Sequence, residues 1–295
     1  MRKKQYFQVG WLLDGRGGPA RENMLLTLAN GRISGIAPYG PEAASRGEEI
    51  IDWSTSTVMP TLVDGHLHLA MSGTTDPQRR EDQLHAGCDE LLPVIARHLD
   101  QLARSGVLTV RDGGDRDGCV SAYLAGNGGG RQPVLVQSPG AAWHRQGRYG
   151  GLIGPGVPEE QSLAMALAEA ATIPPLVKLV NSGLNSLKQY GRQTAPQFSA
   201  EELAMAVAII QRSGGRVMVH ANGVAPVKSA IEAGCDSIEH GFFMGRENLE
   251  RMAERGTRWV CWQAMPHART GRRGVTAFWS GQTGGLHAPK TATMC

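Results

Sequence analysis

The chain has 295 residues, enough for one large domain or two ordinary ones with a buried core. Its 41% hydrophobic and 19% charged residues exclude a chain kept unfolded by low hydrophobicity and high charge. A net charge of +3 without a basic run carrying interleaved aromatics argues against a nucleic-acid partner, and no apolar run reaches the length of a membrane span or, behind Arg2-Lys3-Lys4, of a signal peptide.

In chain order, residues 1–57 read as short strands. Met24-Leu25-Leu26-Thr27-Leu28 and Arg32-Ile33-Ser34-Gly35-Ile36 flank Asn30-Gly31, a strong hairpin turn signal, and Glu49-Ile50-Ile51-Asp52 reads as a further strand. From Val58 the grammar changes to short apolar runs alternating with helical stretches, as in a parallel sheet built of βα units. The expected strands are Val58–Val63, Val107–Arg111, Val134–Gln137, Leu176–Val180, Arg216–His220, Ser237–Glu239 and Arg258–Cys261. The expected helices are Asp82–Ser105, Glu159–Ala171, Ala200–Ser213, Ala225–Ala233 and Arg246–Arg255, with Gly106, Gly214, Gly215, Gly234 and Gly256 at their ends. This spacing predicts an α/β fold, a TIM-type (β/α)8 barrel over residues 58–261 with one strand missing. A doubly wound sheet is the alternative, but no Gly-rich phosphate loop follows any strand. Residues 262–295 show neither the helical nor the strand period and read as an irregular tail. The five cysteines, Cys88, Cys119, Cys235, Cys261 and Cys295, are scattered, odd in number and without a CxxC pair; they read as reduced thiols of a cytoplasmic protein.

The chemistry centres on histidine. In His66-Leu67-His68 the two imidazoles share a side of an extended chain and can grip one metal ion, although most such pairs elsewhere are surface or loop histidines. His220 and His240 end two further predicted strands, at the face where such barrels do chemistry. Four of the nine histidines at strand tips is hard to obtain by chance. Lys178 stands inside the apolar strand Leu176-Val177-Lys178-Leu179-Val180. It is either an edge lysine that snorkels, or a buried one whose lowered pKa frees the amine for chemistry.

These segments resemble the amidohydrolase superfamily. Val58-Met59-Pro60-Thr61-Leu62-Val63-Asp64-Gly65-His66-Leu67-His68 is similar to its first barrel strand, and Val107-Leu108-Thr109-Val110-Arg111-Asp112-Gly113-Gly114 to its second. Leu176-Val177-Lys178 resembles the fourth, Val219-His220-Ala221-Asn222-Gly223 the fifth, and Ser237-Ile238-Glu239-His240-Gly241 the sixth. The early strands resemble part of the small β-sandwich beside the barrel, and the whole looks closest to the imidazolonepropionase-like and prolidase-like branch. The resemblance implies two divalent metal ions, zinc by expectation. His66 and His68 would hold one, His220 and His240 the other, with Lys178 carboxylated by CO2 as the bridge. A metal-activated hydroxide would cleave an amide, cyclic amide or peptide-like C–N bond of a small-molecule substrate. His144, Arg145, Arg148, Tyr149 and Asn222 are candidates to line the substrate pocket, an ordinary solvated loop being an equal alternative for the 144–151 segment. Asp112 reads first as structural. Nothing in the sequence decides whether the chain is a homo-oligomer.

The resemblance stops near Val260. The family places a catalytic Asp at the end of its eighth strand, yet no Asp or Glu follows Glu254. The expectation is therefore an incomplete barrel with an out-of-frame tail. A catalytically inactive metal-binding protein stands as the alternative to a working hydrolase.

Overall fold

The computed structural model describes residues 4–44, 47, 49–126, 133–170, 172–185 and 189–261. The tail expected over 262–295, with His267 and His287, lies outside the described residues. The chain divides into two compact units, one ending at Leu62 and one beginning at Val63.

The first unit holds β1 (Gln5–Leu12), β2 (Arg21–Ala29), β3 (Arg32–Pro38), the short helix α1 (Pro41–Ala44) and β4 (Ile50–Val58). They form one sheet in the order β3-β2-β1-β4, antiparallel except for the parallel pair β1 and β4. The hairpin turn falls at Asn30-Gly31, both left-handed, with Ala29 paired to Arg32. Alternation along β1 sends Phe7 and Val9 to one face, where Met24 and Leu26 meet them. Of the sandwich portion expected here, the described residues make a single mixed sheet. β4 continues past the predicted Asp52 through Trp53-Ser54-Thr55-Ser56-Thr57, which is almost wholly exposed. Without apolar alternation the sequence does not reveal it; pairing with β1 holds it extended.

The second unit follows the βα grammar. β5 (Leu62–Leu67) leads to α2 (Pro77–His85) and α3 (Cys88–Arg104), then β6 (Val107–Asp112), α4 (Cys119–Gly126) and β7 (Leu135–Gln137). The short strands β8 (His144–Arg145) and β9 (Gly156–Val157) precede α5 (Leu163–Glu169). Then come β10 (Leu176–Val180), α6 (Ala200–Arg212), β11 (Arg216–Ala221), α7 (Val224–Glu232), β12 (Ser237–His240), α8 (Arg246–Arg255) and β13 (Arg258–Val260). β10, β11, β12 and β13 are consecutive parallel neighbours; β5, β6 and β7 form a second sheet in which β6 and β7 are parallel. The fold is α/β with parallel sheets, as the alternation predicts.

Local signals explain the helices. Ser199 and Glu202 close a reciprocal capping box at the start of α6, and Leu203, Ala206, Val207 and Ile210 form its buried stripe. α8 ends where Gly256 turns left-handed and its N–H returns to the Met252 carbonyl. Those stripes pack on Val177, Leu179, Val217, Val219, Ala221 and Ile238 in one core.

Three expectations need correction. The strand expected over Val58–Val63 runs instead over Leu62–Leu67, so His66 lies within it; Pro60 stands between the end of β4 and the start of β5 and lacks the N–H a ladder needs. The single helix expected over Asp82–Ser105 is two: Asp76 caps α2, Pro77 sits in its first turn, and extended backbone at Ala86-Gly87 separates it from α3. Cys88 and Cys119 are not reduced thiols but a disulfide. Each is the first residue of its helix, and α3 packs on α4, which brings the two together across a sequence separation of 31. No helix among the described residues is long and apolar enough to cross a membrane.

Candidate active site

Alternation in the parallel strands sorts side chains by face. Val177, Leu179, Val217, Val219 and Ile238 face the helices. Their neighbours Lys178, Met218, His220, Ser237 and Glu239 therefore point to the other side, and all are buried. Lys178 is 1% exposed, which rules out the edge or snorkelling reading.

There the four strand-tip histidines meet. Ring centroids lie 5.5 Å apart for His66 and His68, 4.8 Å for His66 and His240, and 4.7 Å for His220 and His240. His240 joins them against the alternation, since its neighbour Glu239 already faces this side. It does so by adopting a left-handed backbone with φ of 68°, a conformation that costs a non-glycine residue about 1 kcal/mol or more.

Each ring is held from behind. His66 Nδ1 lies 2.6 Å from Glu239 Oε2, and His68 Nδ1 lies 2.9 Å from the Gly114 carbonyl. His68 rests against Gly113 so closely that a Cβ there would fall 2.5 Å from its Cε1. His220 Nε2 is 3.3 Å from the Gly183 carbonyl. These contacts leave Nε2 of His66 and His68, and Nδ1 of His220, as the ring nitrogens open toward a ligand.

Burial, with the Lys178 charge adding to it, lowers the pKa of His68 to about 4 and of His220 to about 3. Burial likewise holds His66 well below the usual imidazole range, and it lowers His240 together with the neighbouring His220 and His66. At neutral pH the cluster is a set of uncharged nitrogen donors. Burial also lowers Lys178 to about 8, against the pull of Glu239. The donor chemistry therefore fits divalent ions. The side chains are not drawn in around a common point: among the described residues no three His, Cys, Asp or Glu side chains stand close enough together to hold an ion.

The pocket candidates divide. Tyr149 places its ring 5.1 Å from that of His220, and burial raises the pKa of its phenol. Asn222 is buried beside His220, its Nδ2 3.4 Å from the ring Nε2, while its Oδ1 accepts the Phe242 N–H. Neither ring nitrogen of His144 is open: each lies 2.9 Å from a backbone carbonyl, Nδ1 from that of Arg145 and Nε2 from that of Gly154. Arg145 is equally structural, bonded to Glu202 and to the carbonyls of Pro158 and Gln161. Arg148 is exposed and donates to the Ala195 carbonyl. Asp112 is structural, accepting from Leu69, Gly114 and Ser138.

Sequence reasoning missed Arg111, Ser237 and Glu239, which knit the floor of the cluster. The signal was present, since the cost of a charge inside an apolar strand marks Arg111 and Glu239 as it marks Lys178.

A parallel-stranded α/β fold that gathers histidines and a buried lysine defines the class. The family profile for amidohydrolases matches residues 57–257, and the chain belongs to that family. It is 27% identical over 282 residues to an ochratoxinase of Aspergillus niger, an alignment covering 85% of this chain. The chain spans only 57% of that relative's length. Among solved structures it resembles a Xaa-Pro dipeptidase with bound methionine in its active site: TM-score 0.68, 22% identity, 88% of this chain and 66% of that one. It also resembles phenylurea hydrolase B, with TM-score 0.68, 17% identity and coverage of 87% and 64%. These structural likenesses speak for the fold.

Proposed function

We propose that this chain is a metal-dependent amidohydrolase that cleaves a C–N bond of a small molecule, an amide, a cyclic amide or a peptide-like bond. The observation that carries the reading is the cluster itself: four uncharged imidazoles and a fully buried lysine on one side of parallel strands. His66 and His68 would hold one divalent ion and His220 and His240 a second, zinc fitting the nitrogen-rich donor set. Bound there, such ions supply Lewis acidity and an activated water. The strands of residues 58–261 would be staves of a TIM-type barrel. In support, Arg111 on β6 reaches Ser237 and Glu239 on β12, and Gly65 lies beside Val260 of β13.

The chain's own residues divide the work. The Lys178 amine, with its pKa near 8, is partly uncharged at neutral pH. Its lone pair can form an N–C bond to CO2 with loss of one N–H proton, giving a carbamate anion able to bridge two ions. Tyr149 and Asn222, beside His220, would orient substrate. The likeness to an ochratoxinase, together with membership of the amidohydrolase family, supports hydrolysis of an amide-type bond.

A second reading is a metal-binding protein without turnover. One observation favours it: Glu239, a buried carboxylate among the described residues at the cluster, is held by His66, Arg111 and Ser237 and is not open to take a proton from water. One experiment separates the two. The purified chain is loaded with zinc in bicarbonate, its metal content and intact mass are measured, and it is assayed on N-acyl amino acids and dipeptides. Two ions, a mass increase of one CO2 lost in Lys178→Ala, and chelator-sensitive turnover are expected. Two ions without turnover would establish the second reading; no bound ion would sink both.

A further inference from the structure

Glu239 is fully buried on β12, and both its carboxylate oxygens are engaged. Oε1 accepts from the Ser237 hydroxyl at 2.6 Å and from Arg111 Nη2 at 2.6 Å. Oε2 lies 2.6 Å from His66 Nδ1. Arg111 closes the network: Nη1 donates to Ser237 Oγ at 3.1 Å, and Nε donates at 2.8 Å to the carbonyl of Gly65, the residue before His66. One guanidinium therefore braces both the backbone leading into His66 and the carboxylate behind its ring. A carboxylate paired with the Arg111 guanidinium accepts, so the proton in the contact to His66 belongs to Nδ1. A neutral imidazole protonated at Nδ1 carries its lone pair on Nε2.

We infer that Glu239, held by Arg111 and Ser237, is a positioning residue that fixes His66 as the Nδ1–H tautomer and presents its Nε2 lone pair to the histidine cluster. The part that concerns metal rests on the proposed metal centre; the tautomer concerns the protein alone. A purely structural role is the competing account, a buried ion pair tying β6 to β12. Such pairs add little net stability over apolar packing, and Arg111 with Ser237 would already satisfy Oε1. The structural account gives no reason for Oε2 to meet an imidazole. His68 makes the contrast, because its Nδ1 meets a neutral backbone carbonyl. A carboxylate acceptor at 2.6 Å makes a stronger bond than a carbonyl at 2.9 Å and raises the donor strength of the opposite nitrogen, so His66 should be the better-fixed ligand of the pair.

The substitution Glu239→Gln sharpens the test. Arg111 and Ser237 are donors and will capture the amide oxygen, leaving the amide NH2 to face His66. That geometry requires a lone pair on Nδ1 and so switches His66 to the Nε2–H tautomer. The experiment is imidazole nitrogen NMR on the full metal-free chain, wild type and E239Q, followed by zinc titration of both. We expect Nδ1–H in the wild type, Nε2–H in E239Q, and a first-ion affinity roughly 10- to 100-fold weaker in E239Q. Ser199→Ala, which weakens the α6 cap away from the cluster, should lower the melting temperature and move neither readout. An Nε2–H wild type overturns the inference, and this holds even if E239Q does not fold. Retention of Nδ1–H in E239Q, or unchanged zinc affinity, overturns it as well. A tautomer switch in a chain that binds no zinc would uphold the positioning of His66 and sink the metal centre.

Discussion

Asp112 accepts the backbone N–H of Leu69 at 2.9 Å, tying the segment just past His68 to the end of β6. Its other oxygen accepts from the Gly114 N–H at 2.9 Å and the Ser138 hydroxyl at 3.1 Å. Burial pushes its carboxyl up to about 6 against these bonds. Asp112→Ala would strand two buried backbone donors and the half-buried Ser138 hydroxyl and should cost about 2–4 kcal/mol. Asp112→Asn keeps the shape and an acceptor and should cost less. Urea unfolding of both measures the difference; equal losses would remove Asp112 from its bracing role.

Gly113 is the floor beneath His68. A methyl there would lie 2.5 Å from the ring Cε1 and 2.7 Å from Nε2, closer than real contacts allow. Gly113→Ala should cost about 1–3 kcal/mol and displace the His68 ring. Gly73→Ala, where nothing lies within 4 Å, is the neutral control. NMR shifts of His68, read beside the melting temperatures, check the pair. An unmoved ring would show that the close approach is not required.

Lys178→Met removes a charge from a fully buried site while keeping an unbranched stem. The metal-free chain should gain about 1–2 kcal/mol at neutral pH. The pH dependence carries a sign. Between about 8, the folded value, and 10.5, the ordinary one, the unfolded chain binds more protons than the folded chain. Wild-type stability should therefore rise with pH across that window, a rise the Met variant lacks. Unfolding curves at several pH values decide it, and parallel profiles would contradict a buried lysine with a lowered pKa.

The histidines act with the same sign at lower pH. His68 and His220 titrate near 4 and 3 in the folded chain against 6.5 when unfolded, and His66 and His240 are lowered too. Below 6.5 the unfolded chain takes up protons that the folded one refuses. Their contribution is complete above 6.5 and is lost as pH falls toward the folded values. The melting temperature should drop steeply from pH 6.5 to 4, the drop being smaller in a variant with His220 and His240 replaced by Asn. A flat profile would mean the imidazoles are not buried uncharged.

The sequence by itself determined what depends on neighbours a few residues apart. The βα alternation, the Asn30-Gly31 turn, the bounds of α8 from Arg246 to Arg255 and the oddity of Lys178 in an apolar strand all follow from period, turn chemistry and the cost of buried charge. The tertiary structure decided what joins distant segments. Alternation alone would send His240 to the helix side, and only a left-handed backbone turns it into the cluster. Cys88 meets Cys119 because α3 packs on α4, and Glu239 meets His66 across 173 residues because β5 and β12, far apart in sequence, come together in the fold. Local rules set which strand face a side chain takes; the folding together of strands far apart in sequence sets what it finds there.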